Sequence, residues 1–120
     1  MHEVGIVQST LDAAAAGSGG RDIAAVHLRI GALTGVVPAA LQHAWQALRI
    51  GTACEEARLV VEIVPGSCRC AACDAIYGSV SLIPSCPRCG RAPDAVLSGR
   101  ELELATLEIA SPCASTAAAP

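Results

Sequence analysis

Cys68-Arg69-Cys70-Ala71-Ala72-Cys73 and, after twelve intervening residues, Cys86-Pro87-Arg88-Cys89-Gly90 decide how this chain is organised. Two residues between paired cysteines let one tight turn aim both sulfurs at a common point. Two such turns provide the four thiolates of a tetrahedral Zn²⁺ site. Pro87 presets one turn dihedral, and Gly90 suits the positive φ that the exit of such a turn often needs. Backbone N–H groups in these turns face the sulfurs and offset part of the charge of four thiolates on one dication. Cys68 competes for a ligand position, but one residue between sulfurs closes a poorer turn. Cys70, Cys73, Cys86 and Cys89 are therefore the expected zinc set. Unliganded core cysteines or disulfides are the blander reading, and the paired spacing argues against it.

Working outward, the segment around the quartet is too short to bury a core of its own, so a metal would supply much of its folding free energy. Between the two turns, Ala75–Ile83 carries Tyr77, Val80 and Leu82, which predicts a short hairpin spacing the pairs. Before the segment, Arg58–Val64 reads as a β-branched strand with Leu59, Val61 and Ile63 on one face, broken by Pro65-Gly66. After it, Arg100–Ile109 resumes strand chemistry with a change of parity. Leu102 and Leu104 are even, Leu107 and Ile109 odd, so a one-residue bulge near Ala105-Thr106 is expected to keep all four on the core.

Upstream, Pro38 is placed to open a helix whose stripe is Leu41, Ala44, Trp45 and Leu48, ended by Gly51. Ile23–Gly31 alternates Val26, Leu28 and Ile30 with His27 and Arg29, a strand with one buried face. A first helix has Val4, Val7, Leu11 and Ala14 as its stripe and stops at Gly17-Ser18-Gly19-Gly20. The order is helix, strand, helix, strand, cysteine unit, strand. It predicts an α/β (α+β) fold in which a three-stranded sheet and two helices carry an inserted zinc-ribbon-like domain. The expected partition is residues 1–66 with 99–110 for the α/β domain and 67–98 for the insert. Residues 111–120, an Ala/Ser/Pro-rich stretch holding Cys113, are the expected disordered tail.

Composition narrows the function. The chain of 120 residues is 52% hydrophobic but has no Phe, and Trp45 and Tyr77 are its only aromatic side chains, so the core is aliphatic. A net charge of −3, with eight basic residues spread along the chain, argues against a nucleic-acid-binding face. No apolar run reaches the ~20 residues of a membrane helix, and no basic leader precedes an apolar stretch. The expected location is the cytoplasm, where seven cysteines point to metal or redox chemistry rather than a disulfide frame.

Four thiolates close a zinc shell, which makes the quartet structural rather than catalytic. Acid–base machinery is thin elsewhere. His27 reads as a sheet-surface side chain and His43 as part of a solvated helix face. His2 differs, because the amine of Met1, the backbone nitrogen of His2 and its imidazole Nδ1 can close five- and six-membered chelate rings on one metal. The Glu3 nitrogen or carboxylate can complete a square. Such nitrogen-rich planar sets suit Ni²⁺ or Cu²⁺ rather than Zn²⁺. A frayed terminus with an incidental His is the competing reading.

Met1-His2-Glu3 ahead of a helix, then Ile30-Gly31-Ala32-Leu33, then the two cysteine pairs, resembles the HypA/HybF family of nickel metallochaperones for hydrogenase maturation. The similarity runs to about Ile109. The resemblance implies a non-enzymatic protein with Ni²⁺ as transient cargo on His2 and Glu3, and structural Zn²⁺ on Cys70, Cys73, Cys86 and Cys89. It further implies delivery to the large subunit of a [NiFe] hydrogenase together with a GTPase partner, and leaves a homodimer open. Two departures bear on the nickel shell. Val37 stands where some members have an acidic residue, and no His follows His43. The alternatives are a zinc-ribbon interaction or nucleic-acid-binding module with no nickel role, and a rubredoxin-like iron site.

Overall fold

The computed structural model describes residues 2–110; Met1 and the expected tail 111–120, with Cys113, lie outside the described residues. Strand β1 (Ile23–Gly31) sits in the middle of the first sheet. It pairs in parallel with β2 (Arg58–Val64) and antiparallel with β6 (Leu102–Ile109), in the order β2-β1-β6. The parallel pair needs a crossover, which α2 (Pro38–Leu48) provides, and α1 (His2–Ser18) packs beside it. Pro38 opens α2 at its first turn as expected.

The core between helices and sheet is aliphatic around one indole. Val7, Leu11 and Ala14 of α1 and Leu41 and Trp45 of α2 close over Val26, Leu28 and Ile30 of β1 and Leu59 of β2. Trp45 is 1% exposed, and its Nε1–H donates to the Ala57 carbonyl at 3.1 Å, which removes the cost of burying the indole N–H. The opposite sheet face is charged. Arg29 bridges Glu62 and Glu103, and His27 lies 2.6 Å from the Glu108 carboxylate, which the His27 hydrogen bond holds below its ordinary range. His27 is thus a sheet-surface side chain, and His43 is exposed on α2.

Three apolar assignments are corrected. Val4 is 52% exposed, and Glu3, not Val4, occupies the inward position one turn before Val7, because its carboxylate serves the Val37 N–H. In β2 the inward face passes from Val61 to Val64, and Ile63 is left 44% exposed as the strand leaves the sheet. In β6 the bulge is present: Thr106 pairs with His27 and Leu104 with Leu28, so Ala105 is the extra residue. It keeps Leu104, Leu107 and Ile109 against the core, but Leu102 remains 52% exposed, lining an open groove with His2, Gly5 and Ile6 of α1.

A second sheet is built inside the cysteine segment. Here β3 (Gly66–Cys70) is flanked by β4 (Ala75–Ser79) and β5 (Ala95–Ser98), both antiparallel to it. The expected hairpin between the two cysteine turns does not form. The first turn itself reverses the chain and lays β4 back along β3, while Val80, Leu82 and Ile83 leave the sheet and are exposed. The four-residue β5 has no counterpart among the expected strands.

The chain crosses between the sheets twice, and the crossings are stitched to the end of β1. The N–H groups of Gly31, Ala32 and Leu33 donate to the carbonyls of Glu101, Val64 and Gly99 at 2.7, 2.9 and 2.7 Å. A Cβ on Gly31 would overlap the Gly99 carbonyl, and one on Gly99 would meet the Gly66 Cα. Gly31 is therefore required for close backbone approach, not for a special dihedral. Gly31→Ala should lower stability by about 2 kcal/mol or more, since a buried methyl must displace backbone. Urea denaturation followed by Trp45 fluorescence checks this; an unchanged midpoint would show that the crossing yields freely.

Candidate metal centre

Each cysteine turn is shaped by the residue that leaves it. Asp74 follows Cys73 with φ 48° and Gly90 follows Cys89 with φ 76°, so both turns exit through the left-handed region. Gly90 takes it without strain, whereas Asp74 is the one non-glycine residue with positive φ among those described. One ion pair and one backbone-to-carboxylate hydrogen bond hold the first turn: Arg69 Nη2 contacts Asp74 Oδ1 at 3.0 Å, and the Ala71 N–H donates to Asp94 Oδ2 at 2.6 Å. In the second turn Gly90 N–H donates to the Cys86 carbonyl, and Arg88 N–H points at Cys86 Sγ at 3.4 Å.

The sulfurs of Cys70, Cys73, Cys86 and Cys89 all lie within 4.8 Å of one another, with Cys70 to Cys89 at 3.6 Å and Cys73 to Cys86 at 3.9 Å. A tetrahedron with metal–sulfur bonds of about 2.3 Å has edges of about 3.8 Å, so the donor set fits zinc in number, softness and size. Cys68 is fully buried on the same face of β3 as Cys70 but is not one of the four clustered sulfurs.

The electrostatics of the cage point the same way. Backbone N–H groups of Cys89 and Arg88 pull the Cys86 thiol down to about 7. Hydrogen bonding to the Cys89 sulfur, with burial and the remaining sulfurs, pushes Cys73 up to about 12. For Cys70 the Cys73 N–H favours the thiolate, but burial and the sulfurs of Cys89 and Cys86 outweigh it and raise the thiol. Crowded together, these sulfurs resist ionising at the same time, and four adjacent thiolates need a cation between them.

The cage is roofed from the other sheet. Leu33, in the connection after β1, packs with Cys68, Cys70, Tyr77 and Cys86 as one buried cluster. In the sequence Leu33 stands out only as the end of the Ile30-Gly31-Ala32-Leu33 stretch that carries the family resemblance, and nothing local gives it a core role, because its partners lie 35 or more positions away. The same connection ends at Val37, whose N–H donates to Glu3 Oε2 at 3.0 Å.

At the start of α1 the two remaining candidates stand apart from the cage. His2 is exposed, with Nε2 3.9 Å from Glu3 Oε2, whereas the Glu3 side chain is 7% exposed. Hydrogen bonding to the N-terminal amine, then to the Val37 N–H and its own N–H, holds the Glu3 carboxyl down at about 2. A carboxylate of that kind places fixed negative charge beside the imidazole. It also opposes the positive end of the α1 dipole, which would otherwise repel a cation.

These features define a class: small α/β proteins in which a four-sulfur metal cage hangs from the sheet by two strand crossings. Within it, the chain belongs to the HypA family, whose model, described as "Hydrogenase/urease nickel incorporation, metallochaperone, hypA", matches residues 1–109. It is 42% identical over 112 residues to the hydrogenase maturation factor HypA of a Picosynechococcus species, covering 91% of this chain and 99% of the relative. The HypA of Geobacter metallireducens is 40% identical over 109 residues, with the same coverage. The solution structure of the nickel metallochaperone HypA from Helicobacter pylori shares the fold, with a TM-score of 0.62 and 22% identity over 92% of this chain and 99% of that one. This is a metallochaperone family, not an enzyme family.

Proposed function

We propose that this protein is a nickel metallochaperone that binds Ni²⁺ at its N-terminal segment and hands it over during maturation of a [NiFe] hydrogenase. The observation that carries the reading is the pairing, in one family member, of a closed four-sulfur cage with an exposed His2 imidazole opening α1. The cage supports a resident Zn²⁺ on Cys70, Cys73, Cys86 and Cys89. A closed shell suits structure rather than cargo, because no ligand position is left for exchange. Residues 67–98 are accordingly the metal-dependent unit, and residues 1–66 with 99–110 the cargo-bearing one.

The Ni²⁺ site is of opposite character. The imidazole of His2 is reachable, and the first-turn N–H groups of a helix have no carbonyl acceptor within it, so nitrogen ligands there do not break the helix ladder. Planar nitrogen donors suit Ni²⁺. Glu3 supplies negative charge and orientation, with its carboxylate anchored on Val37. Few protein donors on an exposed first turn make a site that a partner can empty. The partners of such a protein are a GTPase of nickel insertion and the large subunit of the hydrogenase, with homodimerisation as a further assembly. It works in the cytoplasm; no helix among the described residues is long and apolar enough to cross a membrane.

Metal analysis of untagged protein after equilibration with nickel tests the whole reading. One zinc and one nickel per chain are expected. Bound iron with visible colour would favour a redox site instead, and salt-sensitive DNA or RNA binding with no nickel would favour a zinc-ribbon interaction module.

A further inference from the structure

The first sheet ends on two edges that are finished differently. On the β2 side, Gln42 of α2 reaches over and its Nε2 donates to the Leu59 carbonyl at 2.8 Å. On the β6 side no strand follows among the described residues. The Gly31 N–H donates to the Glu101 carbonyl, and the register carries this hydrogen-bonded pairing two residues on to Arg29 and Glu103. Leu102 and Leu104 fall in the intervening pairs, so their N–H and C=O groups point away from β1 toward the open side. Beside them lies a groove of about 510 Å³, walled by Gly5, Ile6 and Ala13 of α1 and by Leu102 and Leu104, with the exposed His2 also lining it. Gly5 weakens a helix, and a Cβ there would meet nothing within 4 Å, so no close packing explains it. The other face of β6 carries the charge. Glu62 and Glu103 share the one guanidinium of Arg29, at 3.5 and 2.9 Å, and Glu103 stays 51% exposed. Two carboxylates against one cation leave that face negative.

We propose that the Leu102–Leu104 edge and its groove take an extended segment of a partner protein as an added strand, one that alternates β-branched aliphatic and basic side chains. Main-chain hydrogen bonds to Leu102 and Leu104 hold the segment in register. Its aliphatic side chains enter the groove beside Leu102, and the basic one between them stands opposite Glu103. The half-exposed Leu102 is then the uncovered part of an interface. A second copy of this chain does not match. Antiparallel pairing of two such edges about Glu103 would set that carboxylate against its own copy, and like charges directly opposite are destabilising. The docked segment runs beside His2, so it arrives where the cargo is held. That consequence rests on the nickel reading; the docking does not.

NMR titration of the full, isotope-labelled chain without nickel tests this, using a short end-blocked peptide that alternates valine and lysine. Saturable binding is expected, with shifts gathered on the amides of Leu102, Leu104 and the facing turns of α1, and slowed exchange at the Leu102 and Leu104 N–H groups. The same peptide with methylated backbone amides keeps its side chains but loses its donors, and should bind on the order of tenfold more weakly. A peptide alternating valine and glutamate should also lose on the order of tenfold. Gly5→Leu fills the groove and should weaken binding of the lysine peptide, with circular dichroism unchanged. Both peptide comparisons use the natural protein, so they decide even if that variant misfolds. Equal binding of the methylated or the glutamate peptide, shifts gathered on β2, or no saturable binding would overturn the inference. Shifts of Leu102 and Leu104 that grow with protein concentration alone would make a second copy the occupant and overturn it likewise. None of these outcomes bears on the nickel reading, which metal content tests separately.

Discussion

Cys86→Ser should strip the protein of zinc and unfold the second sheet while leaving the first one folded. The reasoning starts from how little else holds residues 66–98 together. The buried cluster of that unit contains Leu33, Cys68, Cys70, Tyr77 and Cys86, of which two are themselves cage sulfurs. Ile76, Val80, Leu82, Ile83 and Leu97 are exposed, so most of the unit's large apolar side chains contribute little burial. Zinc bound by four cysteines supplies on the order of 10–16 kcal/mol in small domains of this kind, far more than a cluster of that size can. Cys86 is one of the buried ligands of the cage. It is 2% exposed, receives the N–H groups of its own turn, and has the thiol already drawn down to about 7. A serine hydroxyl keeps the turn but does not ionise in this range and binds zinc weakly. The expected result is a zinc content near zero. Amide-exchange protection should be lost across β3, β4 and β5, with protection retained in β1 and Trp45 fluorescence unchanged. A variant that keeps its zinc, or loses none of this protection, would show that the unit folds on its own packing.

How much of this was legible beforehand follows from the range of the interactions. β1, α2 and the cysteine turns are local statements: alternation, a 3.6-residue stripe behind Pro38, and two residues between sulfurs. Each holds in the structure. The bulge at Ala105 was also legible, because a parity change within one strand has few other remedies. What failed depended on partners far along the chain. Val4 is the apolar residue on α1, yet Glu3 faces inward because the Val37 N–H, more than thirty residues away, needs an acceptor. Val80, Leu82 and Ile83 have strand chemistry, yet the first cysteine turn commits β3 to β4 and leaves them outside. Leu33 lies in a loop by any local criterion and becomes part of the roof of the cage because both crossings pass close to it. Local periodicity therefore found the elements and the sulfurs, while the packing that joins the two sheets could be read only in three dimensions.

His2→Ala should abolish nickel binding, taking the stoichiometry from one ion per chain to none, with zinc content and fold unchanged. The fold is safe because His2 is exposed at the first residue of α1, and its side chain makes no core contact that alanine would lose. Nickel is not safe, because the imidazole is the one side-chain nitrogen among the first three residues and would close the larger chelate ring in the proposed site. Without it the remaining donors are backbone nitrogens and a carboxylate already engaged by Val37. A short extension before Met1 makes the complementary test: it keeps the imidazole but converts the terminal amine to an amide. Both proteins should lose nickel by calorimetric titration while retaining one zinc. Loss in His2→Ala alone would place the imidazole in the site and exclude the amine. Full nickel binding by both would move the cargo site off the N-terminal segment. His43 would then be the next imidazole to test, since it lines the same groove between α1 and α2 as Glu3.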